Sequence, residues 1–386
     1  MKNAKLKMGM IGGGPGSFIG AIHRIAANID GAIELVCGAF SSDPEKSKQA
    51  GQALHLQPQR IYTSYADMIR QEARLPREER MDFVSIVTPN HVHFEPAKMA
   101  LEAGFHVVLD KPMTLSLSEA HELKKIIDRS GLHFCLTHTY TGYPMVKQAR
   151  QMVHSGMFGA IRKVWVEYPQ GWLSTPLETE DNKQASWRTD PAKSGKGGAM
   201  GDIGTHAFNL AEYVSGLQLS QLCADLNQVV AGRQLDDDGA MLLRFSNGAS
   251  GVLMATQVAA GEENNVKVRV YGEKGGLEWK QEDANSLLVK WLDKPTELYR
   301  AGTGYLGSHA SHNSRTPAGH PEGYLEAFAN HYRNFALCVQ ARKAGQEPQA
   351  EWLDFPGADD GLRGMAFIET AVKSSQSPEK WTPFLL

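Results

Sequence analysis

An apolar run, Lys7 to Ile11, stops at Gly12-Gly13-Gly14-Pro15-Gly16-Ser17, and helical residues follow over 19–28. A strand that breaks on glycines directly into a helix is the start of a βα unit, and it restricts the rest of the chain. Further apolar runs follow at 33–40, 82–87, 106–109 and 134–136, with helical stretches at 96–103 and 118–130 between the later ones. Pro44 fits the first turn of a helix, where its missing N–H costs nothing. Alternation of this kind predicts a parallel sheet covered by helices on both faces.

The texture changes after residue 136. Residues 145–155 and 203–214 read as helices, and strand-like runs occupy 163–168, 219–230, 240–245, 251–258, 266–271 and 287–291. Turn signals such as Ser246-Asn247-Gly248 and Gly272-Glu273-Lys274-Gly275-Gly276 separate several of them, which suggests a meandering, mostly antiparallel sheet. Helices at 324–343 and 361–374 close the chain, and 300–323 is a long irregular segment of a kind that is often functional or mobile. With 386 residues the chain exceeds one ordinary core, so two domains are expected, at 1–136 and 137–386.

Charge and composition remove several function classes. A net charge of -3 with scattered basic residues gives no reason to expect a nucleic-acid or acidic-membrane partner. No apolar run approaches the ~18 residues of a membrane span. The polar, basic residues 1–8 are unlike a signal peptide, and a cytoplasmic protein is expected. Cys37, Cys135, Cys223 and Cys338 are widely spaced without a C-x-x-C, so buried free thiols are expected and metal binding is not.

Four groups of residues carry chemistry. Gly12, Gly14, Pro15, Gly16, Ser17 and Phe18 lie where backbone N–H groups and a helix N-terminus can take a pyrophosphate. The third position of the G-x-G-x-x-G pattern is Ser17. An acid at the end of the second strand would hold the ribose of NAD. Here Ser41 and Ser42 stand there, with no arginine beside them, which favours NAD and leaves NADP open.

Lys111, between Asp110 and Pro112, follows an apolar strand that carries it to the carboxyl edge of the sheet, where ligands bind. A partly desolvated lysine there can orient or deprotonate a hydroxyl, and a surface lysine is the alternative. Asp202 and His206 are four residues apart and share a helix face after Gly197-Gly198 and Gly201. His206 suits a proton shuttle near neutral pH. Such a pair also suits zinc, but no third ligand stands out. Gln170, Trp172 and Trp187 place an amide and aromatic faces at strand ends, as sugar binding uses.

Together these segments resemble the Gfo/Idh/MocA oxidoreductase family over nearly the whole chain. The more specific matches are Thr88-Pro89-Asn90 with His93 and Ala97, then Lys111-Pro112, and Trp187-Arg188 followed by Gly197-Gly198, Asp202, Gly204 and His206. The resemblance implies an α/β N-terminal Rossmann domain and an α+β C-terminal domain built on a large, mostly antiparallel open sheet, which often forms a dimer or tetramer interface. It implies an NAD(P)-dependent dehydrogenase of a sugar, sugar derivative or cyclitol, working as a homodimer or homotetramer. His206 takes the hydroxyl proton, Lys111 holds the hydroxyl oxygen, and Asp202 completes the catalytic set. Thr88, Pro89, Asn90 and His93 line the cofactor cleft, while Trp187 and Arg188 face cofactor or substrate. Asp110 replaces the family's usual Glu. The stretch 137–144 lacks the usual arginine after its aromatic residue, and His138 and Tyr140 stand in as substrate contacts. The form of residues 11–26 and 40–44 is nearest a branch with levoglucosan- and glycoside-oxidising members. A lyase or hydrolase cycling tightly bound NAD, and a non-enzymatic dinucleotide sensor, are the competing expectations.

Overall fold

The computed structural model of this chain describes residues 5–180 and 182–386. They fold as two compact units. The first runs to His138 and also takes in Phe328–Leu362; the second comprises Thr139–Ala327 and Arg363–Leu386.

The first unit holds a five-stranded parallel sheet of β1 (Leu6–Gly12), β2 (Ile33–Ala39), β3 (Phe83–Val87), β4 (His106–Leu109) and β5 (Phe134–Leu136), in the order β2-β1-β3-β4-β5. Every residue of β3, β4 and β5 is buried, the mark of strands covered on both faces. The covering helices are α1 (Phe18–Asn28), α2 (Pro44–Ala53), α3 (Tyr65–Glu72), α4 (Phe94–Glu102) and α5 (Leu117–Ser130). Local chemistry sets their starts: Ser17, Asp43, Ser64 and Ser116 each accept a hydrogen bond from an amide of the first turn. Because β2 and β3 flank β1 on opposite sides, the strand order reverses at β1, and a crevice opens beyond its carboxyl end.

The first unit is larger than the expected 1–136 because a later segment packs into it. Tyr332 Oη lies 2.7 Å from both Ser85 Oγ of β3 and His23 Nδ1 of α1. The Phe335 ring meets Phe83 edge-on at 5.1 Å, and Leu136 N–H donates to Pro356 O. These residues are some two hundred positions or more away in sequence from the partners they complete, beyond the reach of periodicity.

The second unit is built on nine strands: β6 (Ile161–Pro169), β7 (Leu219–Asn227), β8 (Asp238–Phe245), β9 (Ser250–Thr256), β10 (Lys267–Gly272), β11 (Gly275–Lys280), β12 (Ser286–Trp291), β13 (Glu297–Arg300) and β14 (Thr382–Pro383). Their order is β13-β12-β11-β10-β6-β9-β8-β7-β14, antiparallel apart from the parallel pair β6–β9. Along β8, buried and exposed residues alternate, so one face is covered and the other open. Helices of this unit include α6 (Pro144–His154), α7 (Lys183–Arg188), α8 (Pro191–Ser194), α9 (Thr205–Ser215) and α10 (Ser308–His312); α9 packs on β6 and β10.

Three strands, β11, β13 and β14, and helices α3, α7, α8 and α10 are absent from the sequence reading. Gly275 and Gly276 read as a turn, but a Cβ on Gly275 would come within 2.3 Å of Lys290 O, so this glycine lets two strands pair closely. The irregular stretch 300–323 contains α10 and is tied together by the buried Glu322 carboxylate, which accepts from the amides of Arg315 and Thr316. Cys37, Cys135 and Cys338 are buried free thiols and Cys223 is partly exposed. Among the described residues, no helix is long and apolar enough to cross a membrane.

Candidate active site

The glycine turn after β1 is shaped by close backbone approaches. Gly12, Gly13 and Gly16 all have positive φ, near +84°, +72° and +77°. A Cβ on Gly14 would lie 2.6 Å from Phe40 O, and Gly14 N–H donates to that same carbonyl. The turn is thereby pinned to the end of β2, beside Ser41 and Ser42. Ser17 caps α1 by accepting from Gly20 N–H. The tight helix-to-turn packing expected of the third motif position falls instead at Gly20, whose Cβ would meet Gly13 Cα at 2.3 Å. Pro15 and Gly16 are exposed at the tip, with open space around Gly16, and Phe18 is 64% exposed at the first helical position. A compact backbone turn whose side-chain space is absent, feeding an eleven-residue helix, fits a dinucleotide pyrophosphate.

At the end of β3, Thr88 and Pro89 are partly exposed and Asn90 is buried. His93 was expected to line the cleft. Its ring is instead fully buried, with Nε2 2.8 Å from Thr88 O and Nδ1 2.8 Å from Pro112 O, so it braces the turns after β3 and β4. Burial lowers its pKa.

Lys111 leaves β4 half-buried at the carboxyl edge, and its peptide bond to Pro112 is cis. Asp110 fixes this corner. Its Oδ1 accepts from Lys111 N–H and from Thr137 Oγ1, both at 2.9 Å, linking the ends of β4 and β5. The carboxylate that replaces the longer Glu therefore has a local structural partner. His138 follows Thr137 and is buried; desolvation first, then Lys111 and His331, push its pKa down to about 3. It is a neutral ring at physiological pH.

In the second unit, Asp202 and His206 do not share one regular helix. Asp202 lies in a π-type turn, Met200–Gly204, closed by Thr205 N–H on Met200 O, and His206 is the second residue of α9. The wide turn arises because the preceding backbone is held elsewhere: Gly198 and Met200 N–H donate to the Asp236 carboxylate and Ala199 N–H to Asp236 O. A Cβ on Gly198 would approach Asp236 O to 2.0 Å, the reason glycine stands there. Asp202 Oδ2 accepts from Arg188 Nε at 3.1 Å and Gln257 Nε2 at 2.9 Å. Arg188 in turn lies over the rings of Trp187, at 4.3 Å, and Trp172, at 5.9 Å.

His206 is buried between aromatic neighbours. The Tyr140 ring meets it edge-on at 5.0 Å, and the Tyr168 ring lies at 6.4 Å. The two tyrosine hydroxyls bond to each other and close a ring with Asn264: Tyr168 Oη donates to Asn264 Oδ1 at 2.6 Å, and Asn264 Nδ2 donates back to Tyr140 Oη at 3.0 Å. Gln170 Nε2 also donates to Asn264 Oδ1, and Trp172 Nε1 donates to Gln170 Oε1. Burial pushes the Tyr140 hydroxyl up to about 12, so it stays a neutral donor. The sequence reading named Tyr140, Gln170, Trp172, Arg188, Asp202 and His206, and all lie in this one polar network or against it. It missed Gln257, Asn264 and Asp236, whose partners lie far away in the sequence. An immobilised carboxylate and a buried imidazole among neutral hydroxyls and amides can accept a sugar-like hydroxyl and carry its proton.

Comparison with known proteins shows the family. Residues 6–138 match the model of an oxidoreductase family with an NAD-binding Rossmann fold, and residues 146–278 match the GFO/IDH/MocA C-terminal domain. The oxidoreductase YfiI of Bacillus subtilis is 33% identical over 98% of this chain and 97% of its own. The levoglucosan dehydrogenase of Pseudarthrobacter phenanthrenivorans is 26% identical over 77% of this chain and 78% of its own. A crystal structure of an inositol dehydrogenase homolog from Azotobacter vinelandii, complexed with NAD+, superposes with a TM-score of 0.94 at 35% identity, covering 99% of this chain and 98% of that one. The two-unit fold, the glycine turn and the matched segments place this chain in the Gfo/Idh/MocA family of NAD-binding oxidoreductases.

Proposed function

We propose that this protein is a dehydrogenase that takes hydride from a secondary alcohol of a sugar, a sugar derivative or a cyclitol, with NAD as acceptor and NADP as the alternative. The observation that carries the reading is Asp202, fixed by Arg188 and Gln257 in the turn that leads into the helix presenting His206 between two tyrosine rings. Relatives named as levoglucosan dehydrogenase and inositol dehydrogenase homolog support the substrate class.

Gly12, Gly14, Pro15, Gly16, Ser17 and Phe18 hold the cofactor's pyrophosphate end, Ser41 and Ser42 its ribose, and Thr88, Pro89, Asn90 and Asp110 line its path. Bound NAD supplies the hydride acceptor. The protein's own work is with the proton and the hydroxyl. Lys111 donates to the hydroxyl oxygen and stabilises developing alkoxide character. His206 removes the hydroxyl proton, which is its role as general base. Asp202 accepts a hydrogen bond from a substrate hydroxyl and orients it. Tyr140, Gln170 and Trp172 contact the substrate, with the Trp172 indole offering a flat face to a sugar ring, and His138 is a further substrate contact in this reading. Trp187 supports Arg188. A homodimer or homotetramer through the nine-stranded sheet is part of this reading. Its open face exposes the cross-strand pair Leu242 and Val252, at 46% and 39%, which a partner copy would cover.

The test is absorbance at 340 nm with NAD or NADP across sugars, anhydrosugars, glycosides and inositols. Reduction of either cofactor with one class identifies the substrate. Silence across the panel with NAD shown to bind rejects net dehydrogenation and favours a redox-neutral cycle or a sensor.

A further inference from the structure

We propose that Asp236 is a positioning residue for the reaction: its carboxylate clamps the backbone turn that carries Asp202. The inference rests on the functional reading above for its link to catalysis, and on the hydrogen bonds of this segment for its substance.

Asp236 is buried and belongs to no regular element; it precedes β8. It holds three consecutive amides. Gly198 N–H donates to Oδ1 at 2.8 Å, Ala199 N–H to the backbone carbonyl at 2.7 Å, and Met200 N–H to Oδ2 at 2.7 Å. Both carboxylate oxygens are thus spent on backbone rather than on a cation. Asp202 N–H then bonds back to Gly198 O, so the clamped residue and Asp202 are joined by one bond.

The neighbouring Asp237 anchors the other side of Asp202. Its carbonyl accepts from Gln257 N–H at 2.8 Å, and the Gln257 side chain donates to Asp202 Oδ2. Its carboxylate accepts from Val229 and Val230 N–H and from Arg233 Nη1. One dipeptide therefore fixes both the turn beneath Asp202 and the amide that orients its carboxylate. Such indirect support decides whether a site is tight or loose at the ångström scale that catalysis feels.

The clamp has an acid limit. A carboxylate accepts both N–H groups, whereas a protonated carboxyl turns one oxygen into a donor facing an N–H. Burial raises the Asp236 pKa to about 6, opposed by its bonds from Met200 and Gly198 and assisted by the Asp237 charge. The charged groups around it are Asp237, Arg233 paired to Asp237, and Glu178 paired to Arg233. No cation contacts Asp236 itself among the hydrogen bonds above, so the turn amides are its counter-dipoles.

The test has two arms. In the first, Asp236→Asn is compared with wild type in steady-state kinetics from pH 5 to 8. Asn keeps the volume and one acceptor but turns an NH2 toward an amide. At pH 8, kcat is expected to fall at least tenfold with the Kd for NAD within twofold, and the gap is expected to narrow as pH drops through 6, where wild type loses its own clamp. A pH-independent ratio, or unchanged kcat, overturns the proposal. In the second arm, the protein labelled with 15N-methionine is titrated by NMR, with the Met200 amide identified by its loss in Met200→Leu. A Met200 shift that titrates near pH 6 in wild type supports the clamp; a shift flat from pH 7.5 to 5 overturns it. This arm needs no turnover, so failure of the dehydrogenase reading would be seen separately.

Discussion

Arg188 Nε lies 3.1 Å from Asp202 Oδ2, and the same oxygen takes a 2.9 Å bond from Gln257 Nε2. Two donors on one oxygen, one of them a guanidinium, define an acceptor group. Asp202 is thus suited to hold a substrate hydroxyl, which in the proposed reaction leaves the proton-carrying role to His206. Losing a hydrogen bond to a charged group costs about 1.5–3 kcal/mol, or roughly 10- to 150-fold. Arg188→Ala is expected to lower kcat/KM by that factor with little change in the Kd for NAD. A comparable rise in the Kd for NAD, with kcat preserved, would return Arg188 to the cofactor role assigned from sequence.

In the proposed reaction Lys111 and His206 divide the remaining work. Lys111→Ala is expected to lower kcat by two or more orders of magnitude while NAD still binds, because the lysine acts on the reacting hydroxyl and not on the cofactor. Near-normal turnover removes it from the mechanism. His206→Ala is expected to flatten the pH–rate profile near neutrality, and an unchanged profile would mean that another group shuttles the proton.

Much of this was legible in the chain because it is local. The βα alternation, the glycine turn, and the helix at 324–343 follow from periodicity and turn chemistry within short windows. The bounds of that last helix match the structure residue for residue. The features that escaped are joined across the sequence. Asp236 meets Gly198 from 38 positions away, Gln257 meets Asp202 from 55, and Asn264 meets Tyr140 from 124. No pattern in the sequence marks such pairs. His93 shows the complementary limit: a residue whose type and place fit a ligand cleft is buried with both ring nitrogens 2.8 Å from backbone carbonyls.

Gly20 carries a prediction that the motif alone would have put at Ser17. A methyl on Gly20 has Gly13 Cα at 2.3 Å and Gly13 O at 2.9 Å, both backbone atoms that cannot rotate away. Overpacking of this kind typically costs 1–3 kcal/mol. Gly20→Ala is expected to displace the glycine turn and weaken NAD binding at least tenfold, measured by calorimetry, whereas Ser17→Ala should lose only a cap worth ~1 kcal/mol. Equal affinities for Gly20→Ala and wild type would show that the turn does not set the pyrophosphate site.

Acid should destabilise the first unit before it touches the second. Burial lowers His23 to about 4 and His106 and His138 to about 3, and all three belong to the first unit. Their folded pKa values lie below the ordinary 6.5, so the unfolded chain binds protons that the native state refuses. Their contribution to stability is complete above pH 6.5 and is lost as pH falls toward the folded values. At pH 5 each costs about 2 kcal/mol, about 6 kcal/mol together. Asp236 has the opposite sign, since a raised folded pKa favours the native state as pH drops below 6, but at pH 5 it returns only ~1 kcal/mol and does so in the second unit. The histidines win. Calorimetric scans at pH 7.5 and 5 should show the transition of the first unit falling by roughly 12–24 degrees, with His106→Gln recovering about a third of the shift, its share among three comparable groups. A first-unit transition that stays fixed between these pH values would mean that the buried imidazoles are not held neutral.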